Sequence, residues 1–165
     1  MKTLLISILF VTCFSVSFAV DRDSLGRKVA QIINQERARI GVDTLNYEPD
    51  AFCFATDWAD STDRYFNAEN NEFSRKAAHR NFKYRFQGYE NDRNMKWRYY
   101  GECIATGSIS FNDNFDLVAD YANALLKSED HYKVLTNSKY QKLIVGIVIN
   151  ESSFSMVVFT TAEYK

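Results

Sequence analysis

The sequence predicts an α+β domain. Apolar residues recur at helical spacing near the start of the chain and again near residue 120. At the C-terminal end, two apolar, β-rich runs are separated by a short polar turn, which is typical of an antiparallel hairpin. With 46% hydrophobic and 15% aromatic residues, the chain has ample apolar material for a packed core.

Residues 1–19 are predicted to be a secretory signal peptide. Lys2 gives a positive start, residues 4–18 are almost entirely apolar, and small residues allow cleavage after Ala19. No later apolar run is long enough to span a membrane. We therefore expect residues 20–165 to form one secreted domain without a membrane span. An uncleaved anchor is the alternative.

The first half of the domain is predicted to contain two helices. Residues 24–40 have an amphipathic pattern, and Gly41 is suited to end that helix. A connector that holds the only proline follows, and Asp50 is a favourable N-cap for a second helix. The second helix is expected to end near Phe66.

The second half is predicted to contain a strand, a helix and a hairpin. A short strand and turn is expected over residues 102–110, and Asp113 or Asn114 caps a helix with a clear apolar stripe. Residues 143–149 and 154–160 pair as the hairpin. The turn between them carries the sequon Asn150-Glu151-Ser152, so Asn150 is a candidate glycosylation site.

Residues 75–98 hold eight Lys or Arg residues, with aromatic residues between them. Such a pattern can bind nucleic acid or anionic sugars. The whole chain, however, has a net charge of −1. We therefore interpret the segment as a solvated face whose aromatic side chains point inward, and we expect no nucleic-acid partner.

Cysteine usage predicts one disulfide. Cys13 lies in the signal peptide, so the secreted chain keeps Cys53 and Cys103. Two cysteines in an oxidising compartment favour a bridge, which would close a loop of about 50 residues and stabilise the domain by about 4 kcal/mol. The alternative is two buried free thiols.

The chain contains only two histidines, His79 and His131. Two imidazoles and one carboxylate, such as that of Glu102, are a legitimate zinc set with an open fourth position. Alternatively, Glu102 simply bonds a histidine and ties a strand to a helix. No Ser-His-Asp arrangement is present, so no catalytic residue is assigned.

A set of residues occurs in one order over most of the domain, from about Val29 to Phe159. That set is Asn34, Arg37, Gly41, Leu45, Tyr47, Asp50, Ala55, Ala59, Gly101, Glu102, Ser128, His131, Val145, Gly146, Ile147 and the run 154–159. Its order and spacing resemble the CAP superfamily, also called SCP domains, which includes cysteine-rich secretory proteins, antigen 5 and plant pathogenesis-related proteins. The resemblance is to the short bacterial members in particular.

The resemblance implies an α-β-α sandwich, in which helices flank a small mixed sheet. It also implies a cleft that in some members holds zinc between two histidines and two acidic residues. His131 and Glu102 occupy matching positions, and Ser128 stands at the second acidic position. Either Arg75 or His79 takes the first histidine position, since the two are one helical turn apart.

We therefore expect a secreted CAP/SCP-type monomer that acts as an extracellular binding module. The ligands that the resemblance implies are a lipid or sterol, a cell surface, or a metal ion in the His79, Glu102 and His131 cleft. Zinc is the one candidate cofactor. A zinc-dependent extracellular hydrolase is the alternative function.

Overall fold

The structure is a computed structural model that describes residues 21–50, 53–64, 66–67, 72–73, 79–80, 82–93, 97–109 and 116–163. The predicted signal peptide, Arg75, Asp113 and Asn114 lie outside these residues. The helices are α1 (Arg22–Arg39), α2 (Phe54–Asp63), α3 (Phe82–Arg93), α4 (Leu117–Lys127) and α5 (Glu129–Leu135). The strands are β1 (Asn46–Tyr47), β2 (Phe66–Asn67), β3 (Glu72–Phe73), β4 (Trp97–Ser108), β5 (Lys142–Ile149) and β6 (Ser153–Glu163). Of the described helices, none has the length and apolar character needed to cross a bilayer.

The central sheet has four strands in the order β1-β5-β6-β4. β1 is parallel to β5, and the other two pairs are antiparallel. β5 and β6 form the hairpin that the sequence predicts, with Val145 opposite Val158. β4 lies at one edge of this sheet, and β2 and β3 form a separate antiparallel ribbon.

Helices cover both faces of the sheet. On the first face, side chains of α1, α4 and α5 such as Ile33, Leu125 and Leu135 pack on the alternate strand residues that include Val145 and Val158. On the second face, α2 and α3 pack on the intervening strand residues, with Phe86 of α3 fully buried. This is a mixed α-β-α sandwich, so the predicted α+β fold class is confirmed.

The first helix begins and ends where its local chemistry requires. The carboxylate of Asp21 accepts hydrogen bonds from the backbone N–H groups of Asp23 and Ser24, which caps the first turn. After Arg39 the chain turns at Gly41, whose φ of 74° lies in the left-handed region that glycine adopts without steric cost. The helix predicted over residues 24–40 is thus present, starting two residues earlier.

Boundaries of α2, α4 and β4 also differ from the sequence prediction. The carboxylate of Asp116, and not of Asp113 or Asn114, caps α4. α2 begins at Phe54 and not directly after Asp50. The Asp50 carboxylate accepts a hydrogen bond from the backbone N–H of Thr56, in the first turn of the helix, and so it still caps α2 although it is not the residue directly before it. α2 ends at Asp63, because residues 66–67 pair with β3. β4 begins at Trp97, five residues before the predicted strand, because its pairing with β6 continues to that end.

Two side chains of α1 anchor the surrounding elements. Arg37 is fully buried and donates to the carbonyl oxygens of Asp43, Leu135 and Asn137 at 2.7, 2.7 and 3.1 Å. Asn34 binds Leu45 twice, since its Nδ2 donates to the Leu45 carbonyl and its Oδ1 accepts from the Leu45 N–H. These contacts fix β1 and the end of α5 against α1, and so they fix the position of α5.

The predicted disulfide is not formed. Cys53 is exposed at the start of α2, which packs on the second face of the sheet. Cys103 is fully buried and belongs to the core on the first face. Because the sheet lies between them, the two thiols are free, and this corrects the sequence prediction.

Candidate functional site

A cleft of about 430 Å³ lies beside the edge strand β4. β4 lines it with three alternate residues, and α5 lines it with three more; the full lining is His79, Glu102, Ile104, Thr106, Asp130, His131 and Val134. Side chains at i, i+2 and i+4 of a strand point to the same face. The edge position of β4 brings this row next to α5, so the three residues predicted as a zinc set all line one cleft.

Glu102 and His79 are in direct contact. His79 Nδ1 lies 2.6 Å from Glu102 Oε2. The Glu102 side chain is 2% exposed, whereas that of His79 is 41% exposed. A carboxylate partner assigns the proton to Nδ1 in the neutral ring, which leaves Nε2 as a hydrogen-bond acceptor. The structure therefore contains an imidazole that is oriented by a buried carboxylate.

Arg85 of α3 is the second partner of Glu102. Its Nη2 lies 3.4 Å from Glu102 Oε1, and its side chain is 16% exposed. The guanidinium also lies over the ring of Trp58 in α2, a cation–π arrangement that suits a planar cation. Arg85 thus connects α2, α3 and β4 on the second face of the sheet.

Sequence reasoning missed Arg85 as a site residue, because it was counted among the basic residues of segment 75–98. A local signal was present. Arg85 follows Phe82 by three residues and directly precedes Phe86, and positions i, i+3 and i+4 share one face of a helix. Since Phe82 and Phe86 pack in the core, that spacing places Arg85 toward the interior.

His131 lies inside the short helix α5. Ser128 ends α4 and caps α5, so a separate short helix carries the histidine. The Cys103 thiol lies 3.8 Å from the His131 carbonyl oxygen, which joins α5 to β4. His131 reaches the cleft as a half-buried lining residue.

The part of the chain that the structure describes contains no group of three or more His, Cys, Asp or Glu residues placed to hold a metal ion. Glu102 uses one oxygen toward His79 and the other toward Arg85. Burial raises the pKa of the Cys103 thiol, which keeps it protonated and unsuited to metal ligation. The described residues therefore present no formed zinc set, and the zinc site of His79, Glu102 and His131 stays a prediction.

Asn150 lies in the turn between β5 and β6 and is not part of the cleft lining. Its Nδ2 donates to Asp63 Oδ2 at 2.6 Å, and the same carboxylate accepts from the hydroxyls of Ser153 and Ser155. Asp63 thereby ties the end of α2 to the hairpin. Asn150 is exposed, and its glycosylation stays a prediction.

The order of elements, the layers and the cleft beside the edge strand define a CAP-type α-β-α sandwich domain. No protein-family model matches the sequence, and no curated protein matches it significantly. Solved structures do match. An outer surface protein from Borrelia burgdorferi has a TM-score of 0.62 at 16% identity, over 88% of this chain and 97% of that one.

Two further solved structures have names that identify the fold. The CAP domain of enterococcal PrgA matches with a TM-score of 0.52 at 14% identity, over 87% of this chain and 62% of that one. An extracellular protein from Bacillus anthracis that contains an SCP domain matches with a TM-score of 0.50 at 20% identity, over 83% of this chain and 40% of that one. The chain therefore has the CAP superfamily fold, as the sequence resemblance implied. Identities this low establish the fold alone.

Proposed function

We propose that the protein is an extracellular binding module that takes a small amphipathic ligand, of the lipid or sterol class, into the cleft beside β4. The observation that carries the proposal is the convergence of polar and apolar side chains on one concave site. Its volume of about 430 Å³ lies within the range of about 300–1,000 Å³ that is usual for small-molecule sites.

The lining suits a ligand with one polar end. Ile104 and Val134 supply apolar contact, while His79 and Asp130 supply polar groups at the exposed side. Thr106 continues the β4 row of lining residues beyond Ile104.

An extracellular location rests on two supports. Residues 1–19 have the pattern of a signal peptide. Structural relatives include an outer surface protein and an extracellular protein, which is consistent with a surface or extracellular location. A zinc-dependent extracellular hydrolase is the alternative function, and the described residues hold no group of three or more His, Cys, Asp or Glu residues that would favour it.

Equilibrium titration with a fluorescent sterol and a fluorescent fatty acid tests the proposal. Asp130→Trp narrows the cleft, and Glu129→Trp is the matched control, since both positions are exposed on the first turn of α5 and only Asp130 lines the cleft. We expect saturable binding of at least one probe, weakened about tenfold or more by Asp130→Trp and within about twofold of wild type for Glu129→Trp. Absence of saturable binding to wild type, or equal weakening by both substitutions, would contradict the proposal.

A further inference from the structure

We infer that Arg85 is the resident counter-charge of the cleft carboxylate, so that the cleft binds its ligand without a divalent cation. In the zinc site that the CAP resemblance implies, a metal ion would balance the charge of Glu102. Here a guanidinium from α3 does so. The inference rests on the proposed function only in placing the ligand in this cleft.

The burial of Glu102 requires a compensating charge. Its side chain is 2% exposed, and an ionised carboxylate removed from water is stable only when it is paired and hydrogen-bonded. His79 meets one oxygen at 2.6 Å, and Arg85 meets the other at 3.4 Å. Of these two partners, Arg85 carries a permanent charge and is the more buried, at 16% exposed against 41%.

The same contacts disfavour a metal ion. Each Glu102 oxygen already faces an N–H donor, which leaves fewer lone pairs for a zinc ion. The nearby guanidinium also repels a second cation. Zinc binding at Glu102 is therefore disfavoured while Arg85 stays in place.

Arg85 is held so that it does not leave easily. Its guanidinium lies over the Trp58 ring, and the neighbouring Phe86 is fully buried in the aromatic core of the second face. The Arg85 side chain is 16% exposed, so it is a largely buried charge directed at a carboxylate and not a solvated surface charge.

This arrangement also sets what His79 offers to a ligand. Arg85 faces one oxygen of Glu102, and the other oxygen faces Nδ1 of His79, which orients the imidazole and directs Nε2 away from Glu102. Arg85 is a positioning residue in this scheme, since it acts on the ligand through Glu102 and His79.

Zinc titration by calorimetry, with zinc as the only ligand, tests the inference. Arg85→Met keeps apolar contact with Trp58 and removes the charge. Lys83→Met is the control, because Lys83 is exposed on the same helix and lies outside the cleft lining. We expect Arg85→Met to bind zinc at least tenfold more tightly than wild type, and Lys83→Met to equal wild type.

Equal zinc affinity of Arg85→Met and wild type, including no binding by either, would remove the role of Arg85. Wild-type protein that binds one zinc ion tightly, with a Kd of about 1 μM or below, and loses it on Glu102→Gln would overturn the inference without any Arg85 variant, which covers the case in which Arg85→Met does not fold. Because no lipid or sterol is present, these results do not depend on whether the proposed ligand class is right.

Discussion

The Arg37 side chain joins α1 to two other segments of the chain by hydrogen bonds. Its guanidinium is buried and satisfies main-chain carbonyls in the connector after α1 and at the end of α5. Arg37→Met removes these donors and leaves buried carbonyl oxygens unpaired. We expect the free energy of unfolding to fall by about 3 kcal/mol or more, measured by urea denaturation.

Arg39 supplies the matched control for Arg37. It lies in the same last turn of α1, is 68% exposed, and pairs with Glu36 on the surface. Surface ion pairs contribute little, so Arg39→Met should lower the free energy of unfolding far less than Arg37→Met does. Similar losses for the two variants would show that the buried carbonyl contacts are not what makes Arg37 important.

The two cysteines are expected to react very differently. Burial raises the pKa of the Cys103 thiol, whereas Cys53 is exposed. In folded protein that lacks residues 1–19, we expect an alkylating reagent to modify Cys53 alone, and both thiols only after denaturation. Peptide mapping identifies the labelled residue. A peptide that links Cys53 to Cys103 in the secreted protein would contradict the structure.

The sequence could predict the importance of a residue where that residue belongs to the family pattern. Asn34 and Arg37 stood out because the family resemblance includes them, and both prove to be buried or partly buried anchors. The role of Arg85 was not accessible, because it depends on Trp58 and Glu102, which lie on two other elements. Its helical spacing shows that it faces inward but not what it meets there.

At the scale of elements, Gly146 sets how closely α2 approaches β5. A Cβ at Gly146 would overlap the backbone of Ala55 and Thr56, so the side-chain-free position lets the helix pack directly on the strand. We expect Gly146→Ala to lower the free energy of unfolding by about 3 kcal/mol in denaturant titrations.

Gly88 is the control for Gly146. It lies in α3, is exposed, and a Cβ there would meet nothing within 4 Å. Because alanine favours the helix, Gly88→Ala should stabilise the protein by about 0.5–1 kcal/mol. A loss of stability from Gly88→Ala, or none from Gly146→Ala, would contradict the packing described.

The contact between α1 and α5 should respond to acid. The Arg39 guanidinium and the Tyr132 hydroxyl hold the pKa of Glu36 at about 2, below its ordinary value of 4.5. A lowered folded-state pKa contributes stability that is fully present above about pH 4.5 and is lost as the pH falls toward 2. Glu36→Gln should therefore have a lower thermal midpoint than wild type above that pH, and the two midpoints should converge near pH 2.

Tyr132→Phe refines the acid prediction. It removes one of the two donors to Glu36, at 2.9 Å, and leaves Arg39 in place. An intermediate pH profile is expected. Identical profiles for wild type and Glu36→Gln would show that this carboxylate does not couple the two helices.

The sequence predicted the elements that have strong apolar periodicity. It did not predict the boundaries that depend on contacts with other elements. The hairpin and the helix near residue 120 follow from their apolar patterns, and both are present. The early start of β4 was hidden within a basic and aromatic segment, and only pairing with β6 defines it. Asp50 is a residue type that favours the N-cap position. Its carboxylate does accept a hydrogen bond from the backbone N–H of Thr56 in α2, but Asp50 does not directly precede the helix.

At the scale of the whole molecule, sequence patterns predicted an α+β class, and the family resemblance supplied the sandwich. The cleft could be predicted only in outline, because it combines residues separated by more than 20 positions at the edge of a sheet. Glu102 and His79 do meet. The contact of Glu102 with Arg85 could not be predicted, because it requires the position of α3.

The predicted cleavage site after Ala19 lies close to Asp21, the residue that caps α1. Cleavage after Ala19 leaves Asp21 on the mature chain, where its carboxylate caps α1. We expect the intact mass of exported protein to correspond to a chain that begins at Val20. In the chain 20–165, Asp21→Ala should lower the free energy of unfolding by about 1 kcal/mol, whereas Asp21→Asn, which retains a capping oxygen, should cost only a few tenths. Exported protein that retains Met1 would refute the processing site, and full stability of Asp21→Ala would refute the role of the cap.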